Sequence, residues 1–562
     1  AAQQNLPASG GRIVLAAGDY DESVFFQETT SLIGRCSSMV TVSGATNSPI
    51  AAAASLGKTV LEAVGNHDVT VRDLRVSGDG IGLAAYFGAT VTLERVVFDD
   101  NEFYGIFING NGAAVNATDV VVNATRPQPE GLSGGKGVSV QDGAAFHLER
   151  GVVTNNTDAN LYCGGVLPTE FSEMTVKNAF ISGAQDPAHG IYGGRGISVA
   201  NGASATLENT VISKSSGDHL IARESGTSIT ANGLVIWGEG SDKPSVETDR
   251  GISLYQGATG TLNQVAIYRV QEFGMFIDNE GTSVEASDLL IQEVQTVPGK
   301  GYGRALHLRN RAALSLDGGA FIGNHDMGLM VRDGANATVR GLLVENTQPS
   351  AYGWGGMGIS VLSDSQLVIE RSALLSNMEV GLALSNIPEG FGGLEADTSV
   401  EFRDSIVAHT QVDSDGFYGR GLQAQLGASL IVERSVVIDN NEAAVLILDA
   451  LGDIRDTLLA DTKVSGPAQI GDGLVATWSD VTASGVSVKG NGRVGVLYDR
   501  TQGSINNCTI TENAFGLATQ GTEVPQITDD NAIVNNDQNL VQNTDLPIPD
   551  QAIPLPDDNT SN

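Results

Sequence analysis

Cysteine is nearly absent from this chain. The three residues at 36, 163 and 508 are too few and too widely separated for a disulfide framework, and no CxxC pair suggests zinc. Buried free thiols are the expectation for all three. Aromatics make up only 5% of the residues. Basic residues are scarce too: 31 Lys plus Arg stand against 66 Asp plus Glu, for a formal net charge of −35. Such a chain repels phosphate backbones, which argues against nucleic-acid binding. No apolar run approaches the ~18 residues that would suggest a membrane-spanning helix. The hydrophobic share, 41%, is too high for a disordered chain.

What is abundant is glycine, 70 of 562 residues. Many glycines with few aromatics imply many tight turns, and a repeat search answers that implication. Strand-like segments open at Gly82, Gly137, Gly196, Gly251, Ala305, Gly358, Gly421 and Gly473, at spacings of 55, 59, 55, 54, 53, 63 and 52. A second series opens at Gly105, Asn160, His219, Gly274, Gly328, Gly381, Ala444 and Gly495. The step from the first series to the second is 23 residues seven times and 22 once. The return step is longer, so each repeat pairs one tight coil with one coil carrying an extra loop.

A coil of that length holds three short strands and three turns. In Gly196-Ile197-Ser198-Val199 the alternation sends Ile197 and Val199 one way and Ser198 the other. No amphipathic helical stripe is present, and neither the leucine-rich-repeat pattern nor the antiparallel hairpins of a propeller blade fit. A parallel β-helix remains. An asparagine row supports it: Asn101, Asn156, Asn324, Asn377, Asn440 and Asn491 each stand four residues before a second-series start. Asn suits the left-handed backbone of a sharp turn, and stacked amides bond along a column. The row is read as structural.

The stacked G-[IV]-S-V-x-x-G-A segments at 137–144 and 196–203, with the opening Ile13-Val14-Leu15-Ala16-Ala17-Gly18-Asp19-Tyr20, resemble the right-handed parallel β-helix superfamily of pectate-lyase-like folds. The resemblance covers roughly residues 10–525. It implies an all-β solenoid, expected here to have about 19 coils and a length of roughly 90 Å. It implies little about activity, because that superfamily includes lyases, hydrolases, esterases, epimerases, adhesins and proteins of no known activity. Enzyme motifs of the superfamily are not met. Asn156-Thr157-Asp158 matches the start of the polygalacturonase pattern without its later elements, and Asp186-Pro187-Ala188-His189 only loosely resembles the epimerase DPHD.

Three regions are expected: 1–58, an N-terminal cap with the first irregular coils; 59–525, the regular β-helix; and 526–562, an extended polar, Pro-containing tail. A chain starting at Ala1 without Met or signal peptide suits a processed, exported protein. Secretion or display at a bacterial cell surface is the expected location.

The extra loops, at 125–135, 182–194, 238–249, 293–303, 346–356, 410–419 and 461–471, leave the same corner and should line one edge. They carry Tyr192, Tyr302, Tyr352, Trp354, Phe417 and Tyr418. A basic residue, Lys136, Arg195, Arg250, Arg304 or Arg420, precedes five of the first-series strands. One reading is a cleft where rings stack on sugars and guanidiniums pair with uronate or sulfate groups. The other is that each Arg ties down its own loop. A further constellation joins Asp218 and His219 to Arg195 and Arg250, with Asp186 and His189 in the loop above, a set able to perform acid–base chemistry at a sugar carbon. The two Asn-His-Asp strings, at 66–68 and 324–326, are read as turns.

The chain is therefore expected to be a non-catalytic exported scaffold contacting polysaccharide or a cell-surface glycan through its looped edge. The alternative is a lyase, epimerase or hydrolase acting on acidic glycans. No cofactor is expected, although the carboxylate excess could hold calcium loosely. Neither a nucleic-acid partner nor a transmembrane segment is expected, and the sequence leaves the oligomeric state open.

Overall fold

The computed structural model describes residues 10–47, 57–128, 134–165, 171–186, 193–239, 249–297, 301–386 and 397–549. Every regular element among the described residues is a β-strand. The chain divides into two compact units, 1–297 and 298–562. Both are right-handed parallel β-helix.

In the first unit a representative coil is Arg195–Ala200, Ser204–Glu208 and Val211–Ser213. The next coil, Leu220–Arg223, Ser228–Asn232 and Val235–Trp237, stacks on it strand for strand. The register pairs Ile197 with Leu220, Ala205 with Ile229 and Ile212 with Ile236, all parallel. Strand alternation sends Ile197, Val199, Leu207 and Ile212 into the solenoid, each fully buried. Stacking repeats that pattern coil after coil, which is how a 23-residue unit too small for its own core acquires one.

The second unit is built the same way. Met357–Leu362, Gln366–Glu370 and Ala373–Leu375 stack through Ile359–Leu382, Leu367–Val400 and Leu374–Val407. Stacked strands continue beyond residue 525, where the sequence suggested an extended tail. Gln526–Ile527, Ala532–Ile533 and Gln538–Gln542 pair with the coil before them. Past them the chain folds back onto the unit. Leu546 exchanges hydrogen bonds with the Gln520 side chain, and Leu546 and Ile548 pack on Leu497 and its neighbours.

The asparagine row is structural, but not in the way the turn chemistry suggested. The left-handed residue is the one before it: Ser376 has φ +55° and Asp439 φ +56°. Asn377 and Asn440 themselves are fully buried. Their amide oxygens accept the backbone N–H of Thr347 at 3.1 Å and of Thr410 at 3.0 Å in the preceding coil. Each Asn thus satisfies a turn donor that stacking would otherwise bury unpaired. Near the last described coils the amides also bond one another, Asn491 to Asn513 at 3.1 Å and Asn513 to Asn536 at 2.9 Å.

The expectation for cysteine needs one correction. Cys163 and Cys508 are buried, but Cys36 is exposed, because it sits in a surface turn rather than on an inward strand position.

Candidate functional site

One strand of each coil turns its first, fourth and sixth residues outward. In Ile81–Tyr86 these are Ile81, Ala84 and Tyr86, which pack with Tyr104 and Phe107 of the next coil. The basic residues Lys136, Arg195, Arg250, Arg304 and Arg420 hold the first of these outward positions. The fourth position is closed to solvent: Ser198 is 1% exposed and Ser253 fully buried.

Four of the five basic residues pair with a carboxylate at one fixed offset along the chain, as in the reading that each ties down its own surroundings. The guanidinium of Arg250 donates to Glu272 at 2.5 Å, that of Arg304 to Asp326 at 2.6 Å and that of Arg420 to Glu442 at 2.5 Å, each pair 22 residues apart. Lys136 pairs with Asp158 at 2.6 Å over the same interval. Three of the carboxylate residues, Glu272, Asp326 and Glu442, have left-handed backbone. They sit at or just before the start of the next outward strand, and the left-handed backbone there aims the carboxylate back at the cation one coil earlier. Rings complete the enclosure. Arg304 lies 4.4 Å over Tyr302, Arg420 4.9 Å over Tyr418, and Arg250 5.1 and 5.0 Å from the stacked rings of Phe273 and Phe276. Such stacking is favourable for a delocalised cation.

Two repeats break the rule in opposite senses. At Arg195 the residue 22 positions on is Gly217, so no carboxylate stands at that offset. At Met357 the residue 22 positions on is Glu379, so the carboxylate meets no cation at that offset. Glu379 is 4% exposed and accepts the Gly355 N–H at 2.7 Å. Burial, with the charges of Asp413 and Asp326 nearby, pushes its carboxyl up to about 7, and the Gly355 hydrogen bond pulls the other way.

These facts correct the picture of an open, guanidinium-lined cleft. Arg304 and Arg420 are at most 1% exposed and Tyr302 only 6%, so their stacking and pairing are spent inside the protein. Trp354 is half-buried and stacks on Tyr352, whose ring is 56% exposed. Tyr192 and His189 lie outside the described residues. Asp186 accepts the Gly193 N–H at 3.0 Å.

The constellation around Asp218 is assembled only in part. The backbone places Asp218 between Arg195 and Arg250, since Gly196 bonds to the Asp218 carbonyl and His219 to that of Arg250. The Asp218 carboxylate accepts the Ser253 hydroxyl at 2.6 Å. Arg250 donates to the Tyr255 hydroxyl at 2.7 Å, and burial, reinforced by the charge of Asp218, pushes that phenol up to about 12. His219, however, points the other way. It holds the strand position of Gly196 and Gly251, where a Cβ would meet the core residues Ile212 and Ile267. It is fully buried, with Nδ1 3.0 Å from the Arg250 carbonyl and 3.1 Å from the Asp249 carboxylate. It cannot share a ligand with Asp218.

A cavity of about 230 Å³ opens beside Arg420 in the second unit. Phe417, Tyr418, Arg420 and Glu442 line it together with the 465–470 loop and Ile548. Phe417, 38% exposed, is its accessible ring. The 410–419 loop that presents Phe417 is fixed by Asp413, whose carboxylate accepts the backbone N–H groups of Asp415 and Phe417 at 3.0 and 2.8 Å. Below, Arg420 donates to Gln423 at 2.6 Å and Gln423 to Gln425 at 2.7 Å. Sequence reading found the aromatic and basic members of this site. It missed Glu442, which the repeated 22-residue offset could have revealed, and Ile548, which reaches the cavity only by chain reversal.

Among the described residues no three His, Cys, Asp or Glu side chains gather to hold a metal ion. No helix among them is long and apolar enough to cross a membrane.

No protein-family model and no curated protein matches the chain. Among solved structures it is similar to the bacteriophage CBA120 tailspike protein 3, at 13% identity and TM-score 0.27 over 75% of this chain and 54% of that one. The chain thus spans about half the length of that tailspike. It is also similar to the PL6-family alginate lyase AlyGC, at 10% identity and TM-score 0.22 over 96% of this chain and 98% of that one. Vag8, in its complex with C1 inhibitor, gives 11% identity and TM-score 0.27 over 95% and 99%. At these TM-scores the likenesses carry no argument about what the chain does, and the fold rests on the strand register.

Proposed function

We propose that this chain is a non-catalytic recognition scaffold, exported or displayed at a cell surface, that contacts polysaccharide through the looped edge of its β-helix. The observation that carries this reading is the cavity beside Arg420, where an accessible Phe417 ring stands over a polar floor. Arg420 and Glu442 satisfy each other there. Such a buried pair offers no free base, and the group that a sugar face can reach is the Phe417 ring. The exposed Tyr352 on its own loop extends the same aromatic character along the second unit.

The test is a glycan array followed by calorimetry on any oligosaccharide it identifies. Phe417→Ala is expected to weaken that affinity about tenfold, the equivalent of roughly 1.4 kcal/mol. Unchanged affinity in Phe417→Ala would exclude the cavity as the site. An unsaturated-uronate and reducing-end assay on acidic glycans runs beside it. Turnover that disappears in folded Asp218→Asn would replace the scaffold by an enzyme.

A further inference from the structure

We propose that Arg195 forms a binding site for an oxyanion carried on a glycan, a uronate carboxylate or a sulfate ester. The site is separate from the cavity at Phe417, and the proposal stands or falls independently of it.

Three observations converge. First, Arg195 lacks what the other cations of its series have. The carboxylate expected 22 residues on is replaced by Gly217. That position is closed to any side chain, because a Cβ there would lie 2.5 Å from the Gly193 carbonyl oxygen. Second, the neighbour three residues along is short, as it also is at Lys136 and Arg250, where it is Ser139 and Ser253, while two repeats carry a longer group there. At Arg420 that neighbour is Gln423, which accepts from the guanidinium at 2.6 Å, and at Arg304 it is His307, 3.3 Å away. At Arg195 it is Ser198, on the same outward face. Third, the Ser198 hydroxyl is buried and has no hydrogen-bond partner among the described residues. A closed-off hydroxyl without a partner is costly until an acceptor reaches it. The half-buried Arg195 fork and the unmet Ser198 donor therefore border the space that a carboxylate fills in other repeats and that the Gln423 amide fills beside Arg420.

The chemistry of the missing groups defines the ligand. A guanidinium whose natural partner is a two-oxygen anion binds another one in the same bidentate way. Asp218, the nearest carboxylate in the strand register, is turned to Ser253 at 2.6 Å. On a chain of net charge −35, an anion gains most beside a cation whose usual carboxylate position is empty.

The experiment is calorimetry at constant ionic strength with glucuronate, glucose 6-sulfate and glucose as probes. It is run on the full chain, on Arg195→Gln and on Ser198→Gln, with circular dichroism to confirm folding. Arg195→Gln removes the fork. Ser198→Gln keeps the charge but supplies the amide that occupies Arg420 in the second unit. Both variants are expected to lose at least tenfold in affinity for the charged probes, and glucose is expected to bind none of the three proteins here. Binding of glucuronate alone assigns a uronate source, and binding of the sulfate alone assigns a sulfate ester. Binding of both defines an oxyanion site that does not discriminate. No binding of either charged probe to the wild-type chain, or equal binding in both folded variants, overturns the proposal.

Discussion

Arg304 and Asp326 meet at 2.6 Å with their side chains at most 1% exposed, joined across 22 residues of sequence by one step of the coil. The pair is fully desolvated, so its two members depend on each other. Removing one partner of a buried pair costs about 3–5 kcal/mol, because the other charge is left unpaired. Arg304→Met is therefore expected to destabilise the second unit by that amount in urea unfolding. Adding Asp326→Asn is expected to recover most of the loss, since Met357 shows that the same position accepts an apolar side chain. A single variant that loses under 1 kcal/mol would show that the pair is a passive neighbour of Tyr302.

Glu379 is the natural counterpart of that variant, and its consequence is a pH dependence. Its carboxyl is raised from the ordinary 4.5 to about 7, first by burial. A raised acid holds its proton in the folded state at pH values where the unfolded chain has released it. Folded protein thus binds more protons between about pH 4.5 and 7, and stability falls as pH rises through that window. The contribution is on the order of 3 kcal/mol. Glu379→Gln is expected to flatten the fall and to be more stable than wild type at pH 8. Met357→Arg is expected to flatten it too, by restoring the missing cation. Parallel melting curves of wild type and Glu379→Gln from pH 5 to 8 would sink the assignment.

The coil was legible in the sequence because it is a local property repeated many times. Gly137-Val138-Ser139-Val140 and Gly196-Ile197-Ser198-Val199 need only alternation and a turn to announce a strand. The position of the basic residues was legible for the same reason. Their partners were not, because pairing Arg420 with Glu442 requires the register between coils as well as the spacing along the chain. His219 shows the limit most directly. Adjacent in sequence to Asp218, it was placed in the same site, yet one residue along a strand reverses the face, and its ring lies in the core. The Phe417 cavity was half legible: its aromatic ring stood out in a loop, but Ile548 reaches it only through a reversal after the last described coil.

Asn377 offers a test of the buried amide row. Its oxygen accepts from the Thr347 N–H at 3.1 Å and the Thr347 hydroxyl at 2.7 Å, and its nitrogen donates to the Val344 carbonyl at 3.1 Å. Asn377→Ala strands all three groups away from water, at about 1–3 kcal/mol each where no water replaces the amide. Hydrogen exchange at the Thr347 amide is expected to accelerate by at least tenfold, with smaller changes two coils away. Unaltered protection at Thr347 would mean that stacking alone closes this turn.

The cysteines give the cheapest check of the burial pattern. Cys36 is exposed, and hydrogen bonds from Ser38, the side chain foremost, hold its thiol below the ordinary range. Cys163 is fully buried, and burial pushes its thiol up; Cys508, 2% exposed, is raised for the same reason. Thiolate is the reacting form, so exposure and acidity act together at Cys36 and oppose reaction at the other two. One equivalent of an aromatic disulfide reagent is expected to react promptly with the native chain, and three after denaturation. Cys36→Ser is expected to abolish the native reaction while leaving the melting temperature unchanged. Prompt native labelling of two or three thiols would show that the coils around Cys163 and Cys508 open readily, and the solenoid packing described for them would have to be revised.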